Sequence, residues 1–424
     1  MTKRSVRIGA AVLAAAIAGG ASPAGASLAG NLSRFIARQG AVLTQTQFPD
    51  TITPVITRLA AQATDFPVPP TTPGYVFVYN PQQGIFERYQ GSLGPVFLER
   101  VDTLGQNHFA VGVSYLYGNP NQFDGDDFLQ GVKTPVGGAF ADPGSGAQFN
   151  GGVFLKDFEL PTHKINFAGS YGITDQWDVG FLVPLVWTNL RVKGTPYLAN
   201  GPFPPSSCPS PGACAVGPTA SLDQTSVGVG DLLLRTKYRF GYLADWGFAG
   251  GMVLRVPTGS ADNFRGLGDV TLEPQLIISR AFGVQDVHAN LGMEFNAANS
   301  TRTRARYGIG ATLALPSFPQ LALLLDFVGW SQLDDENFNT TARFSPNVDP
   351  IGVIAPFVTS QVRNPDGSFT ITSTLPRADQ FNAAVGLKFA IWQNLLGWAT
   401  AVVPLTRQGL QADVISAVGV EYSY

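Results

Sequence analysis

A set of ionisable side chains stands isolated among apolar neighbours: Arg235, Lys237, Arg239, Arg255, Asp269, Glu273, Glu294, Arg304, Arg306, Asp326, Lys388 and Glu421. Each lies in a stretch where apolar and polar residues alternate, so all of them fall on the polar face of an extended chain. Both signs occur on neighbouring stretches, which predicts ion pairs between strands or across an enclosed space. No spacing of metal ligands accompanies them. The histidines, His108, His163 and His288, are scattered. Only His288 sits in mid-stretch, on the polar face beside Asn290. A serine-type hydrolase would need Ser, His and an orienting group at matched depth. No such constellation is legible, so the expectation is no catalytic site, no metal and no cofactor. Asp334-Asp335-Glu336 reads as a solvated loop face with too few ligands for calcium. Cys208 and Cys214, in the turn-rich stretch Pro-Ser-Ser-Cys-Pro-Ser-Pro-Gly-Ala-Cys, predict a small loop disulfide; an idle thiol pair is the alternative.

The chain around these residues is poor in charge. Of 424 residues, 13% are charged and 11% aromatic, with 48 Gly, 31 Pro and a net charge of -3. A soluble protein of this size would lack the polar residues to cover its surface, whereas a wall facing lipid needs none. The near-neutral balance and the lack of a Lys/Arg stripe give no reason to expect nucleic-acid binding. The start is basic (Lys3, Arg4, Arg7), then apolar from Ile8 to Ala21, with Ala24-Gly25-Ala26 as a small-residue cleavage site. Residues 1–26 therefore read as a signal peptide, with Ser27 the first mature residue. The apolar run is shorter than the about 20 residues a membrane helix needs.

From His108 onward the period is two. Phe109, Val111, Val113, Tyr115 and Tyr117 share a face; Leu232, Leu234, Tyr238 and Phe240 oppose Arg235, Lys237 and Arg239; Phe381, Ala383, Val385, Leu387 and Phe389 oppose Asn382 and Lys388. Leu395 to Val403 is apolar but ambiguous in phase. About twelve such strands follow one another, each near the length that crosses an outer membrane when tilted. Connections alternate between short (Thr174–Gln176, Gly241–Asp245, Phe282–Asp286, Pro316–Gln320, Ala390–Asn394) and longer (Gly118–His163, Gly194–Ser226, Ser331–Ala378). That alternation predicts an all-β, up-and-down antiparallel transmembrane barrel, residues 107–424, with short periplasmic turns and long outer loops. A hairpin over Val353–Val362 and Ser368–Leu375 is too polar for a lipid face and is placed above the membrane; if it spans, the barrel has about fourteen strands. Lipid cannot satisfy backbone hydrogen bonds, so the sheet must close.

The ending Gly419-Val-Glu-Tyr422-Ser-Tyr424 resembles the C-terminal signal read by the barrel-assembly machinery. Further motifs carry a family resemblance. Gly228-Val-Gly230-Asp231, Gly266-Leu-Gly268-Asp269 and Leu254-Arg-Val-Pro257-Thr258-Gly259, with Tyr171-Gly-Ile-Thr174-Asp175-Gln-Trp-Asp178-Val-Gly180, Val183-Pro184, Gly94-Pro95-Val-Phe-Leu-Glu99-Arg100 and Thr103-Leu-Gly105, are similar to the meta-pathway phenol-degradation family of outer-membrane transporters, itself akin to FadL-like channels. The resemblance spans about Tyr75 to Tyr424. It implies a pore for small hydrophobic or aromatic compounds with an N-terminal plug. From the residues alone, Gly230-Asp231 and Gly268-Asp269 read as rim bends whose aspartates bond loop amides.

Residues 27–106 are too long for a mere leader. Weak helical spacing (Leu32, Phe35, Ile36), a Pro-rich connector and a hairpin from Tyr75 to Tyr89 predict a folded segment. Its Tyr75, Phe77, Tyr79, Phe86, Tyr89 and Phe97 could line an apolar path, and its Glu87, Arg88, Glu99, Arg100 and Asp102 could pair with Arg235, Lys237 and Glu294. A periplasmic arm is the other reading. The functional expectation is an outer-membrane channel for passive passage of small hydrophobic compounds, contacting the lipid bilayer, lipopolysaccharide and the assembly machinery. The alternative is a non-transporting surface protein that binds through its loops.

Overall fold

The computed structural model describes residues 27–44, 53–69, 77–80, 85–88, 93–123, 126–127, 132–135, 140–141, 148–200, 218–315, 318–342, 358–392 and 394–424. The expected signal peptide, the pair Cys208 and Cys214, and Tyr75 and Tyr89 lie outside the described residues. Phe77, Tyr79 and Phe86 lie in the expected hairpin, whose backbone pairs Phe77–Asn80 with Ile85–Arg88.

Twelve antiparallel strands close on themselves. They are β1 (Phe109–Phe123), β2 (Thr162–Thr174), β3 (Trp177–Asn200), β4 (Leu232–Leu243), β5 (Trp246–Val256) and β6 (Thr271–Phe282). The circuit continues through β7 (Gln285–Asn296), β8 (Arg304–Leu315), β9 (Phe318–Gln332), β10 (Asp379–Trp392), β11 (Leu395–Pro404) and β12 (Leu410–Ser423). The circuit shuts where β12 pairs β1, ending in reciprocal 2.8 Å bonds between the Phe109 and Tyr424 backbones. The second strand count, fourteen, does not hold. Val358–Arg363 and Phe369–Leu375 join Glu336–Ala342 in a separate three-stranded sheet between β9 and β10.

The period-two pattern is the reason the wall forms as it does. Phe109, Val111 and Val113 on β1, Phe181 and Trp187 on β3, Tyr238 and Phe240 on β4, Val385, Leu387 and Phe389 on β10, and Val418, Val420 and Tyr422 on β12 all point outward and are exposed. In water this belt would be a vast apolar patch; against hydrocarbon it is the matching surface. The opposite phase, with Leu116, Leu182, Leu233, Ile277 and Leu324, is buried inside. The ambiguous β11 is settled too: Leu396, Trp398 and Val402 point inward and Val403 outward. No helix among the described residues is long and apolar enough to cross a membrane. This closed barrel with a lipid-facing belt is an outer-membrane protein.

The short turns, residue 109 and the C-terminus gather at one end, the periplasmic one by the loop-length rule. At the other end the wall continues beyond the bilayer. β3 is 24 residues long; its first half lies between β2 and β4, and its second half pairs with Gln148–Glu159 on one side and Ala220–Val229 on the other. Those flanking strands fall inside the stretches read as loops. Beyond Val227, which continues the lipid belt, their outward residues include Lys156, Glu159, Ser221 and Asp223, because there is no lipid to face, and so they carry no sustained apolar alternation.

Parts of the N-terminal segment lie against the inner wall. Helix α1 (Leu28–Thr44) and helix α2 (Thr53–Ala63) sit within the collar. Leu28, Leu32, Phe35 and Ile36 pack with Ala60, Leu190, Val192 and Phe264 in one buried cluster. Only α1 was foreshadowed by sequence spacing. Residues 93–106 then run down the lumen to β1.

Candidate functional site

An extended segment crossing a barrel has no strand to pair with, yet its buried backbone groups need partners. The inner wall supplies them one by one. Phe97 N–H donates to Asp326 (3.3 Å), Glu99 N–H to Asn290 (2.9 Å), Val101 N–H to Ser279 (3.2 Å), Leu104 N–H to Asp178 (3.0 Å) and Gln106 N–H to Asp175 (3.0 Å). In return, Lys237 Nζ donates to the carbonyls of Arg100 (2.9 Å) and Asp102 (2.6 Å), and Lys388 Nζ to that of Pro95 (3.4 Å). At the exit the segment passes so close to β2 that a Cβ on Gly172 would run into the carbonyl oxygen of Gly105. The same glycine bonds Asn107 and His108 through its backbone.

Above this comb lies a buried charge cluster. Asp65, just after α2, accepts from Arg255 (3.1 Å), Arg304 (3.1 Å) and Arg306 (2.9 Å). Glu294 holds Arg304 (2.8 Å) and Arg306 (2.5 Å), and Glu273 lies 3.5 Å from Arg306. Burial alone would push the Asp65 carboxyl up, but Arg255, Arg306 and Arg304 outweigh it and hold it well below the usual carboxylate range. Glu99 stands 3.4 Å from Arg235 and 3.7 Å from Lys237. Between these N-terminal residues and the wall is a cavity of about 160 Å³, lined among others by Phe66, Phe97, Arg235, Arg255, Glu294 and Trp330.

Of the residues singled out from sequence, Arg235, Lys237, Arg255, Glu273, Glu294, Arg304, Arg306, Asp326 and Lys388 meet in the lumen, where Lys388 pairs with Glu421 at 2.5 Å. Asp269 and Arg239 stand at opposite rims. Asp269 takes Asn296 (2.9 Å) and Arg302 beyond the start of β6, and Arg239 reaches the Asp175 carbonyl (2.9 Å) at a periplasmic turn. Asp231 accepts the loop amides of Gly259 (3.1 Å) and Leu267 (2.7 Å), whereas Asp269 takes side chains instead. Phe97 is buried, edge-on to Trp398 at 6.5 Å. Gly419 and Tyr422 lie on β12 and Tyr424 at the seam. The reading of Asp334-Asp335-Glu336 as a solvated run fails at its last member. Asp334 and Asp335 are exposed, but Glu336 is fully buried, clamped by Arg58 of α2 (2.9 Å) and Arg302 (2.5 Å). The helix above supplies a cation that the local sequence does not reveal. His288 is sealed between Asp326 (3.1 Å) and Asp286 (3.9 Å). Among the described residues, no group of three or more His, Cys, Asp or Glu stands in a metal-holding arrangement.

Asp65, Ser279 and Asp178 were not among the predicted lumen residues; Asn290 was placed on the polar face but given no partner. One signal pointed to the first. The predicted inner face carries seven basic residues against five acidic ones, and the excess of two calls for acids from elsewhere. Asp65 and Glu99, both ahead of β1, supply them.

A lipid-facing belt, a sealed wall and an internal segment held by wall side chains together define an outer-membrane barrel of the channel class. A family model described as "Putative MetA-pathway of phenol degradation" matches residues 133–353, slightly more than half of the chain. The chain belongs to that family. Among curated protein sequences none matches. Among solved structures, an outer membrane channel from Pseudomonas putida F1 is similar at 12% identity and a TM-score of 0.41, covering 76% of this chain and 98% of that one. A Pseudomonas aeruginosa FadL homologue is similar at 11% identity and a TM-score of 0.27, covering 75% and 89%.

Proposed function

We propose that the protein is a passive channel for small hydrophobic or aromatic compounds, with residues 27–106 as its plug. The observation that carries this reading is a cavity between the described N-terminal residues and the wall. At about 160 Å³ it compares with the roughly 150 Å³ cavity that accepts a benzene ring. Phe66, Phe97 and Trp330 offer apolar faces to a ring, and the arginines and glutamates beside them are already tied to one another. A solute held there displaces little ordered charge. The family's link to phenol degradation supports a single-ring aromatic substrate. Contacts with lipopolysaccharide and the barrel-assembly machinery belong to the same reading.

The test removes Ser27 to Leu93 behind an intact signal peptide. Ion conductance in planar bilayers and sensitivity to bulky antibiotics should rise, and liposomes carrying the intact protein should admit single-ring aromatics faster than sugars of equal mass. An assembled deletion variant with unchanged conductance and permeability defeats the plug. Equal rates for sugar and aromatic solutes defeat the substrate class.

A further inference from the structure

The outward face of the barrel carries, at its extracellular end, two rows of side chains unlike each other. In the first row, Tyr117, His163, Trp187 and Val227 stand directly opposite one another on four adjacent strands. The rings are close: Tyr117 to His163 at 4.9 Å and His163 to Trp187 at 5.3 Å, with the Tyr115 hydroxyl 2.7 Å from His163 Nδ1. Trp187 is 53% exposed, on the face that continues the lipid belt. Such a row marks the boundary between acyl chains and headgroups. Four residues further along β3 is the second row, Glu159, Arg191 and Asp223, again directly opposite one another. A rise of about 3.3 Å per residue places it about 13 Å along the strand, and strand tilt brings this to about 10 Å above the rings. Lys193 lies one outward position higher. An open cleft of about 530 Å³ joins the rows, from Tyr115 and Trp187 at its floor to Glu159 and Arg191 at its rim.

We infer that this cleft is a binding site for lipopolysaccharide, with acyl chains on the aromatic floor and a phosphate of the headgroup on Arg191 and Lys193. The inference rests on the outer-membrane orientation used above and names the place of that contact. Three observations select a phosphorylated glycolipid. The cleft opens to the bilayer rather than to the lumen. Its charged rim stands at the height of a sugar headgroup. Arg191 is 52% exposed and only loosely engaged, 3.7 Å from Glu159 and 3.6 Å from Asp223, so its guanidinium can take a phosphate in fork geometry. Lys193, 55% exposed, pairs with Asp157 at 2.8 Å and among the described residues keeps two further N–H donors for an anion.

The full-length barrel, delipidated in detergent, is titrated with bisphosphorylated lipid A, dephosphorylated lipid A and phosphatidylglycerol, and bound lipid is counted by native mass spectrometry. Bisphosphorylated lipid A should bind most tightly. R191A/K193A should weaken it by about tenfold or more, as loss of hydrogen bonds to a charged group implies. R191K/K193R should retain binding, and E159Q/D223N, which frees Arg191, should tighten it. Normal heat-modifiability controls for folding. Wild-type affinity in a folded R191A/K193A barrel, or phosphatidylglycerol binding as tightly as bisphosphorylated lipid A, overturns the assignment. Solute flux is read separately and should be unchanged in these variants, so failure here leaves the channel reading standing and the converse also holds.

Discussion

Asp65→Asn probes what holds the plug in place. Asp65 accepts from three arginines, and with Glu273 and Glu294 it balances Arg255, Arg304 and Arg306 charge for charge. The amide keeps the shape but removes one negative charge, leaving three buried cations against two carboxylates. Breaking a buried pair from one side costs about 3–5 kcal/mol. That cost falls on the docked state, because undocking lets water reach the arginines. At about 1.4 kcal/mol per factor of ten, the docked-to-open ratio should fall by about 10² to 4 × 10³. Single-channel recording should show far more frequent large openings than in the parent. D65N/R255Q restores the charge balance and should recover much of the quiet state, since Arg255 touches Asp65 more closely than it does Asp231 or Glu294. The pH dependence has a definite sign. A carboxyl held below its ordinary value stabilises docking above about pH 4 and loses that contribution only as pH falls through the lowered value. From neutrality down to about pH 4, Asp65 should cause no opening in the parent. A folded D65N barrel with parental opening frequency refutes the reasoning.

Gly172→Ala places a methyl against the Gly105 carbonyl where the plug leaves the lumen; overpacking of this kind costs about 1–3 kcal/mol, and the midpoint of thermal unfolding in detergent should drop while Gly169→Ala, which meets only the edge of Phe181, drops it less. Cys208 and Cys214 should be disulfide-bonded in protein isolated from the outer membrane without reductant; mass spectrometry finding two free thiols counts against it. Deleting Tyr422 to Tyr424 removes the end of β12 and its closure with β1, so assembled, heat-modifiable barrel should fall in abundance while the conductance of the molecules that do assemble stays the same.

The barrel was legible because lipid imposes a simple code. Val111, Phe167, Phe181 and Leu387 had to alternate with small or polar residues, and the turns had to be short at one end. The collar was not legible, because Arg191, Lys193, Asp157 and Asp223 face water, where a strand and a loop have the same composition. The lumen was half legible. Single charges such as Lys388 or Glu294 in an apolar strand announce an inner face, and their ion-pair partners Glu421, Arg304 and Arg306 lie on nearby strands, but the contacts with residues 65 and 95 come from far along the chain. Asp65 is an ordinary acid after a short helix until three arginines from β5 and β8 converge on it. Glu336 shows the same limit from the other side: beside Asp334 and Asp335 it reads as solvated, and only Arg58 makes burial tolerable.

The seam between β1 and β12 is not the only thing that holds the circuit shut. Residues 93–106 lead directly into β1, the strand that pairs with the C-terminal one. On the way they are gripped by Lys237 of β4, Asp326 of β9 and Lys388 of β10. The segment is thus a drawcord laced through the wall from within: a barrel slit along the seam would still have its first strand tied to the middle of the sheet.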